Sequence, residues 1–169
     1  MFVLNNDTLP QEGCLEALLK TFEQHDRVGL VGAKLFFGDG ALQEAGGIVW
    51  ADASAWNYGR DDDPRKPEYN YVRDVDYCSG AAIGVPTALW RQLGGFDTYY
   101  TRAYYEDTDL AFRVREAGYR VLYQPMCRII HLEGRTSGTD ESQGEKAHQA
   151  ENRKKFLHRW KSVLRHHRP

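Results

Sequence analysis

Glu106, Asp107 and Asp109 place three carboxylates within four positions, at the start of a segment where Leu110, Ala111, Val114 and Ala117 recur at helical spacing before Gly118. One acid at such a point caps free N–H groups and complements the helix dipole. Three acids repel one another unless a cation, a hydroxyl donor or a basic partner shares the space, which makes the cluster a candidate for acid–base chemistry. Gly94-Gly95-Phe96-Asp97 and Tyr104-Tyr105 lie just ahead of it and supply the turn formers and aromatics of a site rim. Cys78-Ser79-Gly80-Ala81-Ala82 is a run of small residues that lets a ligand or another backbone approach closely, and close packing explains it equally well. Asp61-Asp62-Asp63 reads instead as a solvated turn, because consecutive side chains in a loop rarely converge on one ion.

The elements that must hold these residues alternate between strand and helix. Met1 to Leu4 reads as a buried strand, followed by Asn5-Asn6-Asp7-Thr8 and Pro10. Leu15, Leu18, Leu19 and Phe22 mark an amphipathic helix, with Thr8 as its cap ahead of Pro10. Val28–Phe37 and Leu42–Trp50 are strands, the second bent at Gly46-Gly47, and residues 51–71 lose apolar periodicity and read as an exposed loop. Val75–Val85 is strand-like, Pro86 opens a short helix that Gly94 stops, and Arg120–Tyr123 and Cys127–Leu132 are strands on either side of Pro125. Gly134–Gly144 is polar and glycine-containing. From Glu145 onward Leu157, Trp160 and Leu164 share a helical face with Phe156 and Val163 alongside, and basic residues cover the remainder. The sum is an α/β sandwich, with residues 1–144 as its body and 145–169 as a basic C-terminal helix.

With 169 residues, 41% of them hydrophobic and 12% aromatic, the chain suffices for one folded domain with a real core. The net charge of -2 conceals segregation, since residues 151–169 carry seven Lys or Arg against the single Glu151. Such a face is usually solvated; contact with an anionic membrane or nucleic acid is the competing reading. Cys14, Cys78 and Cys127 are odd in number and widely spaced, which argues against a disulfide framework or a zinc site and fits a reducing cytosol. No apolar run approaches the roughly 20 residues of a membrane span.

Taken together, Leu4-Asn5-Asn6-Asp7, Cys78-Ser79-Gly80-Ala81, Gly94-Gly95-Phe96-Asp97, Tyr105-Glu106-Asp107-Thr108-Asp109-Leu110, Gly118-Tyr119-Arg120-Val121 and His131 occur in an order and spacing that resemble the family-2 glycosyltransferases of GT-A fold. The similarity is to the non-processive, rhamnosyltransferase-like bacterial branch and runs from residue 1 to about residue 160. The resemblance implies a GT-A-like mixed sheet flanked by helices, and inverting transfer of a sugar from a nucleotide-sugar donor to a glycan or lipid-linked acceptor in polysaccharide biosynthesis. It implies a cytoplasmic enzyme, working at the inner face of the membrane if it makes peripheral contact there, with no nucleic-acid partner and with self-association left open.

It also assigns roles. Asn5-Asn6-Asp7 stands where the family keeps its Asp-x-Asp element for the donor diphosphate and a Mg2+ or Mn2+ ion. Asp7 offers an anionic oxygen and Asn5 only a neutral carbonyl, so the site should be weaker than one with paired carboxylates. The competing role for Asp7 is to cap the turn before a helix. Asp107 matches the base that removes the acceptor hydroxyl proton, Glu106 would orient it or bind acceptor hydroxyls, and Asp109 is expected to cap the helix or pair with a basic residue. His131 aligns with a histidine near the metal or diphosphate, against the commoner structural role of a lone histidine. Gly80 and Ala81 resemble the acceptor-side wall.

Two departures qualify the resemblance. The family's N-terminal nucleotide-binding half has no counterpart ahead of Met1, so the isolated chain is expected to bind donor poorly and to be inactive alone, with an exposed packing surface. Phe156 stands where processive synthases carry a Gln three residues before Arg159-Trp160, which argues against polymer synthesis. The alternative function is a stand-alone, non-catalytic module that binds a saccharide or a partner.

Overall fold

A computed structural model describes residues 1–101, 103–132 and 144–169, with side chains in the last segment from residue 148 onward. The expected polar segment 134–144 lies outside the described residues save its last member. The elements run β1 (Phe2–Leu4), β2 (Thr8–Pro10), α1 (Cys14–Gln24), β3 (Val28–Phe36), β4 (Leu42–Glu44), β5 (Gly47–Val49), β6 (Ala55–Asn57), β7 (Arg73–Asp74), β8 (Ala82–Gly84), α2 (Thr87–Leu93), α3 (Glu106–Glu116), β9 (Arg120–His131) and α4 (Gly144–Leu164).

The main sheet has the order β1-β8-β3-β9-β2, with β4 added to β3 and β7 to β9. β3 and β9 pair in parallel and form the centre; β8 is antiparallel to β3, and β1 to β8, so β1, β3 and β9 point the same way. Both faces of this mixed sheet are covered. Cys14 and Leu18 of α1 pack with Val31, Ala33, Leu35, Leu122 and Ile129 on one face. Leu89 of α2, Leu110 and Val114 of α3, and Phe156, Trp160 and Leu164 of α4 pack with Leu30, Ile83 and Val121 on the other.

Several elements differ from the sequence expectation. Residues 2–4 form an edge strand and are only partly buried, because β8 is the one neighbour they pair with. Thr8–Pro10 is a strand against β9, so Thr8 caps no helix; α1 begins after Gly13, and Leu15 and Leu19 are exposed while Cys14, Leu18 and Thr21 face the sheet. The stretch 51–71 contains β6, which closes a two-stranded hairpin with β5, and a 3-10 turn at Pro67–Tyr69. Pro125 does not split the strand: β9 continues through it, and the pairing with β3 shifts register between Ala33 and Lys34 to accommodate it. In α4 the buried stripe is Asn152, Phe156, Trp160 and Leu164, four apart, leaving Leu157 and Val163 partly exposed. Cys14 and Cys127 are bonded as a disulfide between α1 and β9, where three unpaired thiols were expected; Cys78 is free and buried. Among the described residues no helix is long and apolar enough to cross a membrane.

Candidate active site

Because β1, β3 and β9 are parallel, their carboxyl ends gather on one side of the sheet, the side on which open α/β sheets bind ligands. The chain leaves β1 at one edge, crosses these ends as Asn5-Asn6-Asp7, and enters β2 at the other edge. Two backbone hydrogen bonds pin the crossing: Asn5 N–H donates to the Ala81 carbonyl (3.0 Å), and Leu132 N–H donates to the Asp7 carbonyl (2.9 Å). Thr8 is paired with His131, so Asp7 and His131 emerge side by side, with Asp7 Oδ1 3.3 Å from His131 Nε2. The Asn5 amide nitrogen lies 3.5 Å from the same ring nitrogen.

Beyond this crossing opens a cavity of about 1350 Å³. Its lining includes Asn5, Asn6, Asp7 and His131 on one side, Gly80 and Ala81 at its floor, and Glu106 and Asp107 from the start of α3. The structure therefore brings together all eight residues that the sequence singled out. The β5–β6 hairpin forms a further wall through Ile48, Trp56 and Asn57, the last two from a stretch that reads as loop.

Asp107 is held from two directions. Gly80 N–H donates to its Oδ2 (2.9 Å) and Thr108 N–H to its Oδ1 (2.6 Å). Burial raises its pKa above the usual carboxylate range, and these hydrogen bonds to the charged form oppose the rise. Glu106 is pushed up to about 7, by burial first and by the neighbouring Asp107 charge second, and its Oε2 is buried without a hydrogen-bond partner. Two adjacent carboxyls of this kind share protons as a pair, and a base poised near neutrality is what proton abstraction from a hydroxyl requires.

Asp109, one helical position from the cavity wall, is fully buried and has a different job. It accepts from Arg113 Nε (2.6 Å), Trp160 Nε1 (2.8 Å) and the Tyr100 hydroxyl (3.1 Å). The expected pairing with a basic residue is thus what the fold contains. Arg159 bridges Asp97 (2.7 Å) and Asp109 (3.4 Å), so the Arg159-Trp160 pair fastens α4 to α3.

Three positioning residues escape sequence reasoning. Tyr104 and Tyr105 have positive φ angles of 73° and 74°, a conformation that costs non-glycine residues on the order of 1–3 kcal/mol each. Asn152 of α4 holds this strained turn, its amide nitrogen lying 2.9 and 3.1 Å from the carbonyls of Ala103 and Tyr104. Glu44 of β4 accepts from Ser79 N–H (2.9 Å) beneath the turn that carries Gly80; burial pushes its pKa up to about 8, and its Oε2 has no hydrogen-bond partner. Gln43, next to it, accepts at the other ring nitrogen of His131 (3.1 Å). In sequence these are ordinary polar residues; a polar residue at an apolar-flanked strand position such as Leu42-Gln43-Glu44-Ala45 was the one available signal.

Smallness at Gly80 has a measurable consequence. A Cβ there would sit 3.3 Å from both Asp107 Cβ and Phe96 Cζ, so those groups must give way by a few tenths of an ångström. Gly80→Ala is expected to lower turnover roughly tenfold by displacing Asp107, the candidate base, since misplacements of this order are costly in catalysis, while moving the thermal midpoint by only a few degrees. Parallel rate and melting measurements check it; unchanged turnover removes the tight fit from the account.

The family described as Glycosyltransferase like family 2 matches residues 1–152. This chain belongs to glycosyltransferase family 2. The family-2 domain is 26% identical over 166 residues to the N-acetylglucosaminyl-diphospho-decaprenol L-rhamnosyltransferase of Mycobacterium tuberculosis, covering 88% of this chain and 52% of that protein. It is 31% identical over 130 residues to the pre-mycofactocin glycosyltransferase of the same organism, covering 76% of this chain and 26% of the relative. The chain thus spans about half or less of the length of these relatives. Among solved structures it superposes on GalNAc-T7 with UDP, GalNAc and Mn2+ at a TM-score of 0.58 with 14% identity, covering 79% of this chain and 28% of that one. That likeness establishes the GT-A fold.

Proposed function

We propose that this domain is the acceptor and metal part of an inverting glycosyltransferase, working at the cytoplasmic face of the membrane on a glycan or lipid-linked acceptor. The observation that carries the reading is the facing arrangement in one cavity: a half-buried, hydrogen-bonded Asp107 on one side and the Asp7–His131 pair on the other. Asp107 takes the proton of an acceptor hydroxyl as that oxygen bonds to the anomeric carbon and the bond to the nucleoside diphosphate breaks. Glu106 holds a proton beside it or binds a second acceptor hydroxyl. Gly80 and Ala81 let the acceptor approach the base.

Among the described residues no three His, Cys, Asp or Glu side chains converge as a self-sufficient metal cage. A Mg2+ or Mn2+ ion nevertheless fits the Asp7–His131 pair, because hard cations at nucleotide sites take one or two protein ligands and complete their shell with diphosphate oxygens and water. Bound there, it would neutralise the leaving diphosphate. Asn5 joins through its carbonyl only with its amide turned over, since its nitrogen is the atom that faces the ring. The name of the rhamnosyltransferase relative supports a deoxyhexosyl donor and a diphosphate-linked lipid acceptor, and a hexosyl donor is the alternative. The nucleoside and ribose would be held by chain outside these residues, so the isolated domain is expected to be inactive.

The test is nucleoside diphosphate release by the intact protein from a panel of nucleotide sugars, with Mn2+ and a polyprenyl-diphosphate glycan acceptor, followed by the anomeric configuration of the product. Release with no donor defeats the reading. The pH profile is a sharper check. The base works deprotonated and its pKa is raised, so kcat/KM should rise with pH through a midpoint displaced upward from that of an ordinary aspartate, toward about 7 if Glu106 titrates with it. A kcat/KM that falls as the pH rises from 4 to 7 contradicts a carboxylate base in this environment.

A further inference from the structure

Gln43 is 2% exposed, a burial that a neutral amide tolerates only when it is hydrogen-bonded. It stands at an irregularity of the sheet. Phe36 pairs with Leu42 and Leu35 with Glu44, which leaves Gln43 as an extra residue of β4 without an opposite number on β3. Such bulges interrupt the alternation of side chains and re-aim one of them, commonly beside an active site. Here all three β4 side chains are buried, and the bulge lets the neighbours Gln43 and Glu44 both serve the site, one under His131 and the other under Ser79.

Two amides flank the ring of His131. At Nδ1 stands the Gln43 amide oxygen, 3.1 Å away, an acceptor that calls for an N–H on that nitrogen. At Nε2 stands the Asn5 amide nitrogen, a donor that calls for a lone pair. The Asp7 carboxylate lies on the same side, 3.3 Å from Nε2. That carboxylate would accept from an Nε2–H, in competition with the Gln43 oxygen that draws the proton to Nδ1 at the shorter distance, and a cation between Nε2 and Asp7 would settle the competition in favour of the lone pair. From this geometry we infer that Gln43 is a positioning residue: its carbonyl fixes His131 as the Nδ1–H tautomer and thereby presents the Nε2 lone pair beside Asp7 as a ready-made metal ligand. The purpose of the device rests on the metal reading given above; the tautomer itself does not.

Long-range 1H–15N spectra of the intact, metal-free protein at pH 8, with His131 assigned by comparison with His131→Asn, read the tautomer directly. A protonated Nδ1 and an unprotonated Nε2 are expected in the wild type, and the reverse assignment overturns the proposal. Titration with Mn2+ alone, followed by the electron paramagnetic resonance of free Mn2+, gives the second readout. Gln43→Leu keeps the volume and removes the acceptor; it should lose the Nδ1–H preference and weaken Mn2+ roughly 10–100-fold, the usual effect of removing an outer partner of a ligating histidine. Gln43→Glu keeps an acceptor at Nδ1 and should preserve both, which also answers a Leu variant that fails to fold. Equal Mn2+ affinity in wild type and a folded Gln43→Leu protein overturns the positioning role. A wild type that shows the Nδ1–H tautomer yet binds no Mn2+ defeats the metal reading and leaves the Gln43–His131 tautomer standing.

Discussion

Asp107→Asn in the intact protein is expected to reduce sugar transfer on the order of 10²–10⁴-fold, the usual contribution of a positioned general base. Donor affinity should stay within about threefold, because the substitution changes no group on the Asp7–His131 side of the cavity. The fold has every reason to survive. An asparagine carbonyl still accepts from one of the two N–H groups, Gly80 or Thr108, that hold the carboxylate, and the amide removes a charge that burial opposes. Turnover and donor binding measured side by side, with a thermal melt as control, decide the point. Transfer at the wild-type rate would remove Asp107 from the reaction and shift the search for a base to Glu106, the neighbouring cavity carboxyl whose pKa is pushed up to about 7.

The other large effect falls on a residue two positions away and is one of stability. Asp109→Ala leaves the Arg113 guanidinium buried beside an empty place, and takes an acceptor from Trp160, Tyr100 and Arg159 at once. Breaking a buried pair by removing one partner costs about 3–5 kcal/mol, and each kcal/mol lowers the midpoint of a domain this size by about 2–4 °C. A fall of roughly 6–20 °C is therefore expected, read by calorimetry or circular dichroism. Asp109→Asn, which keeps an acceptor for Trp160, should fall between the two. Activity should suffer as well, since α4 carries Asn152, which holds the strained turn ahead of Glu106. A midpoint within 2 °C of wild type would show that the Asp109 cluster does not fasten α4.

The contrast between Asp107 and Asp109 also measures what a sequence can convey. Both belong to one acidic run, and helical periodicity places them at the same helix start. That three acids in four positions strain a reading of them all as solvated caps follows from their mutual repulsion. Family motifs then distinguish the proposed base from its neighbour, and the packed structure turns Asp109 inward to Arg113 and Asp107 outward to the cavity. The basic C-terminal helix shows the same partition. Its amphipathic character was legible, but Leu157 and Val163 looked as buried as Phe156 until the four-residue stripe met α3.

What escaped is of one kind. Gln43, Glu44 and Asn152 act on groups 88, 35 and about 50 positions away, and beyond the apolar flanks of Gln43-Glu44 nothing in their own neighbourhoods distinguishes a buried polar residue from a solvated one. The Cys14–Cys127 pairing spans 113 residues, and a count of three cysteines argues against it because counting ignores proximity. Likewise Thr8–Pro10 has the residues of a helix entry and becomes a strand because the β9 edge is there to pair with it.

By itself, then, the sequence determined the alternation of strands and helices, the family, and the eight residues with chemistry to offer, since residue types, short-range periodicity and motif order are properties of the chain alone. Only the tertiary structure decided which nitrogen of His131 faces Asp7, which acid is buried with an arginine and which is open to a substrate, and which polar side chains stand behind them. Those outcomes depend on burial and on partners distant in sequence, and both come into being when β1, β3 and β9 align their ends and the helices close over the sheet.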